Sequence, residues 1–401
     1  MSAFADLTTR IPDELADEFL KRLPYVSEGI ANFRLLPGAA RVAFDLRGGF
    51  ENQSELVATR ISEVASKLCS NYRPGITKTL IKREGSRSGF VLDPHPLLQE
   101  RGELIAFGRG RYGLGPSLTA LVEYFDWRVR RMGAEFHAES RTFPSLIGAD
   151  VLDRCRYIRN FPASLNLVSH LREDHSVIQE FARSANWNGA ELACEPASLS
   201  GIECLLSPSV CFHWYMWLRD SNLPEPVAIT ALGKCFRYES SNLKGLERLW
   251  DFTMREIIFV GPTPYVLSAR DQLVDRCAEF LDELGLAYEI SGATDPFFVD
   301  GYAVQAAYQQ GFELKFEIKV PLPYSGQKLA VGSINYHQDF FGRSFGIQSD
   351  GGAAHTGCLG FGFERLALAF LSQHGVDPQG WPKAARSAVE RTGTNGHVRP
   401  L

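Results

Sequence analysis

Residues 311–320 read GFELKFEIKV, and apolar and charged residues alternate there without a break. Phe312, Leu314, Phe316, Ile318 and Val320 fall on one side, and Glu313, Lys315, Glu317 and Lys319 on the other. A period of two is that of a β-strand with one face buried, and it excludes a helix. Such a strand belongs to an antiparallel sheet. The next apolar stretch, residues 330–347 (AVGSINYHQDFFGRSFGI), reads as another strand and carries Ser333, Asn335 and His337. Strands in meander order flanked by helical stretches give an α+β fold, not a parallel α/β sheet. There is no Walker A sequence and no dinucleotide fingerprint.

A second strand pair lies at residues 228–260 (AITALGKCFRYESSNLKGLERLWDFTMREIIFV). The first strand is expected to carry Arg237 and Glu239 two apart, hence on one face. A loop of Ser, Asn, Lys and Gly follows, and the chain returns through Arg248, Phe252 and Glu256 into a second strand. An arginine fork suits a phosphate, a carboxylate suits an amine, and an aromatic face suits a purine. Read alone, the pair is better taken as an edge hairpin with surface ion pairs. Residues 355–371 (HTGCLGFGFERLALAFL) add a strand in which Gly357, Gly360 and Gly362 allow close backbone approach. A helix opens at about Glu364–Arg365, which suits Arg365 to a phosphate.

The two stretches, FRxE–loop–R–x–x–[DQ]–F and G–x–G–x–G–x–x–R, resemble motifs 2 and 3 of class II aminoacyl-tRNA synthetases in both order and separation. SPSVCFHWY, RLWDFTMREI, INYHQDFFG and HTGCLGFGFERLALA look most like amino acid:[carrier protein] ligases. These are truncated homologues of archaeal-type seryl-tRNA synthetase that charge the phosphopantetheine thiol of a small carrier protein through an aminoacyl-adenylate. The resemblance spans about residues 115–395. It implies a class II antiparallel sheet flanked by helices, with Arg237 holding the α-phosphate of ATP and the amino acid carboxylate. Arg365 would hold the γ-phosphate and cover one face of the adenine. Phe252 would stack on the other face, Glu239 would accept from the adenine amino group or assist ATP placement, and Arg248 would grip the outer phosphates, with Mg²⁺ bridging them.

Cys211, Glu256 and Cys358 are far apart, and their spacing alone gives no metal motif. The resemblance places them at the zinc ligands of the seryl and carrier-ligase families, one Zn²⁺ per subunit, with an open position for the α-amine of the amino acid. Ser333 and Asn335 lie where the seryl enzymes shape the amino acid pocket. Those enzymes have a glutamate shortly before that segment, where Leu329 stands here. Glu317 is a candidate substitute or else a solvent-facing strand carboxylate. The amino acid expected is small: glycine, alanine or serine. The alternatives are a seryl-like synthetase acting on tRNA and an inactive paralogue with a regulatory role.

Residues 1–105 read as a small N-terminal α/β domain and 106–401 as the catalytic domain. RVAFDL (41–46) is a strand, and residues 51–72 form a helix with Val57, Ile61, Val64 and Leu68 inward, stopped by Pro74-Gly75. Residues 77–82 are a candidate returning strand, and no catalytic constellation is visible in this part. The Gly- and Pro-rich residues 88–116 hold the junction. Helices are expected at 117–132 and 266–285. The first, with the extended piece up to Pro144, weakly resembles motif 1, which implies a homodimer. Arginines 109, 111, 128, 130, 131, 154, 156 and 159 are either a docking patch for an acidic carrier or a solvated surface.

The net charge of −5 gives no strong preference for nucleic acid, and 45% apolar content is that of a globular protein. No apolar run spans a bilayer and the start lacks a signal-like apolar region, so a cytoplasmic protein is expected. The eight cysteines show no CxxC pair and no disulfide spacing.

Overall fold

The computed structural model describes residues 3–70, 78–85, 89–293 and 313–394, with side chains to 390. Pro74-Gly75 and Phe312, each expected at the end of an element, lie outside the described residues.

The first 70 residues form β1 (Ala3–Asp6), α1 (Asp13–Arg22), β2 (Ile30–Leu35), β3 (Arg41–Leu46) and α2 (Ser54–Cys69). The strands pair antiparallel in the order β1-β3-β2. Val57, Ile61, Ala65 and Leu68 of α2 sit one above another and close on Phe19, Val42 and Phe44, a core of this unit's own. Val64 falls on the flank of that stripe instead of in it.

The main sheet has eight strands among the described residues. They are β4 (Thr79–Arg83), β7 (Glu139–Arg141), β8 (Val227–Phe236), β9 (Asp251–Gly261), β10 (Tyr288–Gly292), β11 (Lys315–Leu322), β12 (Gln327–Gln338) and β13 (His355–Gly362). A separate hairpin joins β5 (Leu104–Gly108) to β6 (Arg111–Leu114). The order is β4-β10-β11-β12-β13-β9-β8-β7, antiparallel except for the short pair β8–β7. The strand closing the small unit's connection, β4, is thus an edge of the main sheet.

Alternation sets what each face meets. Phe316, Ile318, Ile334, Leu359, Phe361, Ile257 and Phe259 pack on three helices. Counting α3 (Pro94–Glu100) and α5 (Cys211–Trp217), these are α4 (Pro116–Glu135), α6 (Thr263–Glu283) and α8. The last, α8 (Phe363–His374), leaves β13 without a break and follows α7 (Phe340–Phe345) in the chain. The opposite face meets α5, α7 and residues 145–155 over β8, β9 and β13, through Ile229, Ala231, Ile258 and Cys358. The rest of that face is a polar floor.

Two expectations about elements change. Residues 330–347 are not one strand: pairing stops at Gln338, which turns with φ +54°, and α7 follows. Phe341 and Phe345, four apart, are buried beside Tyr215, and Arg343 Nε donates to Asp339 across the same turn at 2.6 Å. The period there is helical, which the continuous apolar run concealed. Strand β8 also ends at Phe236, so Arg237 and Glu239 do not share a strand face; Glu239 begins a 3-10 turn at Ser240–Asn242.

Candidate active site

The register of the sheet assembles the polar floor. Residues directly opposite on antiparallel strands point to the same side. Glu317 faces Ser333, Ser333 faces Gly360, and Gly360 faces Glu256, one row across four strands. The next row on the same face runs Lys315, Asn335, Cys358, Ile258. Gly360 leaves the floor open in its row: a β-carbon there would lie 3.3 Å from Met254 Sδ and 3.6 Å from Glu256 Cγ.

Cys211, the first residue of α5, stands over these rows. Its sulfur, the Cys358 sulfur and a Glu256 oxygen all lie within 4.8 Å of one another, and all three residues are buried. Glu256 Oε1 accepts from Ser209 Oγ at 2.9 Å and from the Val210 amide at 3.0 Å. Its Oε2 is buried with no hydrogen-bond partner. A buried carboxylate oxygen without a partner is costly unless something else meets it. Burial and the neighbouring Cys358 sulfur push the Glu256 carboxyl up to about 7. Cys211 is raised by burial, whereas Cys358 is drawn well below the usual thiol range by the hydrogen bond with Cys211. Asn335 Nδ2 lies 3.6 Å and His337 Nε2 3.9 Å from the Cys358 sulfur. Two sulfurs and one oxygen are a donor set that fits zinc and not magnesium.

The guanidinium groups stand along the same face. Arg237 lies over the Phe252 ring, 5.4 Å from its centre, and its Nε donates to Pro208 O at 3.1 Å. Arg248 pairs with Glu239. Arg365, in the first turn of α8, donates to Ala330 O at 3.4 Å. Burial pulls Arg365 down to about 10; Glu239 opposes this, and Arg248 and Arg237 add to it. Arg237, Glu239, Arg248, Glu317 and Arg365 are therefore electrostatic neighbours in one cleft. Glu317 lies 3.3 Å from Lys315 Nζ and 3.5 Å from Lys319 Nζ, so the charged side of β11 is floor of this cleft. Ser333 Oγ accepts from Asn335 Nδ2 at 3.1 Å, beside the sulfur–carboxylate cluster.

The site residues expected from sequence lie on this face of the sheet or in the loop beside it, except Arg365, which reaches the cleft from the first turn of α8. Sequence reading missed Ser209, which ties Glu256 to the Cys211 sulfur at 3.1 Å, and named His337 without giving it a role. The SPSVC string holds Ser209 two residues before Cys211, but only folding brings it to Glu256. Of the arginines considered as a docking patch, Arg128 pairs with Glu283 and Arg131 lies over Trp127. Both are on α4, behind the sheet.

Residues 203–374 match the family model for the tRNA synthetase class II core domain (G, H, P, S and T). The chain is 34% identical over 294 residues to amino acid--[acyl-carrier-protein] ligase 1 of Bradyrhizobium diazoefficiens, covering 70% of this chain and 85% of that one. It is 35% identical over 304 residues to ligase 2 of the same organism, covering 73% and 85%. A solved complex of A. aeolicus tRNASec with M. kandleri SerRS aligns with a TM-score of 0.73 at 22% identity, covering 99% of this chain and 79% of that one, a likeness of fold. With the antiparallel sheet, the two motifs and relatives at this identity over most of their length, the chain belongs to the amino acid--[acyl-carrier-protein] ligases and is a ligase enzyme built on the class II synthetase core.

Proposed function

We propose that this enzyme activates a small amino acid with ATP as an aminoacyl-adenylate and passes the aminoacyl group to the phosphopantetheine thiol of a carrier protein. The observation that carries the reading is the Cys211–Glu256–Cys358 cluster, with one carboxylate oxygen lacking a partner, on the sheet face that Arg237 and Arg365 also line. A zinc ion held by these three would leave a coordination position for an unprotonated α-amine and so select amino acids.

Arg237 holds the α-phosphate and the amino acid carboxylate, and Phe252 gives the adenine an aromatic face. Arg365 and Arg248 hold the outer phosphates, which enter with Mg²⁺. Glu239 keeps Arg248 in place and accepts from the adenine amino group. A carboxylate oxygen attacks the α-phosphorus as its bond to the bridging oxygen breaks, and pyrophosphate leaves. The carrier's thiolate sulfur then attacks the carbonyl carbon, the bond to the phosphate oxygen breaks, and AMP leaves. Catalysis here is positioning and charge neutralisation. Ser333 and Asn335 border the side-chain pocket, which suits glycine, alanine or serine, and Glu317 is a second candidate ligand for Mg²⁺. The enzyme works as a homodimer, as the weak motif 1 resemblance implies.

ATP–pyrophosphate exchange with each amino acid, followed by transfer to holo carrier protein and to bulk tRNA, tests this. Labelled carrier and bare tRNA are expected; labelled tRNA and bare carrier would sink the reading.

A further inference from the structure

The loop between β8 and β9 carries Arg248, and its tip is held by a residue from outside the catalytic motifs. The Leu246 amide donates to His95 Nε2 at 2.9 Å. A backbone N–H can only donate, so Nε2 must accept and the ring proton must sit on Nδ1. Nδ1 donates to Asp93 Oδ1 at 2.7 Å. Asp93 in turn caps α3 through the His95 amide at 3.0 Å, so the carboxylate is itself fixed. The approach is close because Gly245 is a glycine with φ +46°: a β-carbon there would lie 2.3 Å from His95 Nε2. Tyr324 grips the other side of the tip, its hydroxyl donating to Glu247 Oε1 at 2.8 Å. Lys21 O accepts from Asn242 Nδ2 at 2.9 Å, and Gly110 O accepts from the Trp250 amide at 2.9 Å.

From this geometry we infer that His95 is a positioning residue for ATP, one that fixes the loop so that Arg248 faces the outer phosphates. The inference rests on the reading of Arg248 given above. His95 acts through the Gly245–Leu246 backbone. A misplacement of this kind weakens nucleotide binding more than it slows turnover once ATP saturates.

The full-length enzyme is assayed by ATP–pyrophosphate exchange, and backbone deuterium exchange is followed over residues 243–249. His95→Ala is expected to raise KM for ATP about tenfold, leave kcat within about threefold, and speed exchange at Leu246. His95→Gln puts an amide oxygen where Nε2 stood and should recover most of both. Gly245→Ala should reproduce the alanine phenotype by displacing the ring. A KM for ATP that does not move in His95→Ala overturns the inference whatever the deuterium pattern, and so does a glutamine variant as impaired as alanine. If the unaltered enzyme activates no amino acid, the ligase mechanism fails instead. The deuterium comparison then judges the hold on the loop by itself, and unchanged exchange at Leu246 overturns it.

Discussion

Glu256 is fixed by one oxygen and offers the other, so its geometry is set before any metal arrives. Elemental analysis of the purified enzyme should find about one zinc per chain, lost in Cys211→Ala and in Cys358→Ala. A full complement of zinc in both variants would remove the metal from the mechanism. Arg365 is half-buried among charges of both signs, and Arg365→Ala should reduce kcat/KM for ATP by at least ~100-fold while Arg365→Lys recovers only part, because the ammonium lacks the planar fork. Arg237, Arg248, Phe252 and Arg365 can be picked out in sequence as candidates because each sits in a short string with its own local logic. The metal cluster was not legible from spacing. Its members are 45 and 102 residues apart in turn, and only the register of β9 against β13, with α5 laid over them, brings them together. The resemblance to a known family supplied what spacing could not.

The joints between elements explain where the fold could be read in advance. Strand β11 was secure because its period is strict, but its charged side reads as solvent-facing from sequence and is in fact floor of the cleft. On the opposite face Arg255, 6% exposed, crosses from β9 to α4 and pairs with Asp126, one contact being 3.1 Å, and it also donates to Thr230. Asp126→Asn leaves that guanidinium without its counter-charge and should lower unfolding free energy by about 2–3 kcal/mol in urea titration. At the end of α8, burial holds His374 below its usual value of 6.5, while Nε2 contacts Leu284 O at 2.8 Å. The unfolded chain then binds a proton that the folded one resists. Its contribution to stability is therefore whole above pH 6.5 and declines as pH falls through the folded value. His374→Gln should flatten the fall in melting temperature between pH 6.5 and 5, and an unchanged slope would assign that fall to other groups.

At the scale of the whole molecule, the first 70 residues carry eight Arg and Lys against ten Asp and Glu. Such a unit carries no net positive charge, and tRNA binding should be weak and abolished by modest salt. The unit instead reaches the loop between β8 and β9 through Lys21, and Tyr25 OH donates to Tyr238 O at 3.3 Å. If a carrier docks on the arginine-rich part of the chain, charge reversal at Arg130 and Arg131 should raise its KM. Their place on a helix behind the sheet favours the outcome in which it does not. Among the described residues no helix is long and apolar enough to cross a membrane. Strand β4 supplies the outermost ladder beside β10, with Ile81 opposite Ile290. Trimming the gene to begin at codon 106 would strip that ladder and bare a row of backbone donors and acceptors, a template for sticking to other chains. The shortened product should precipitate or self-associate on gel filtration, so a worker who dissects this enzyme at its most glycine-rich seam would measure an artefact of the cut.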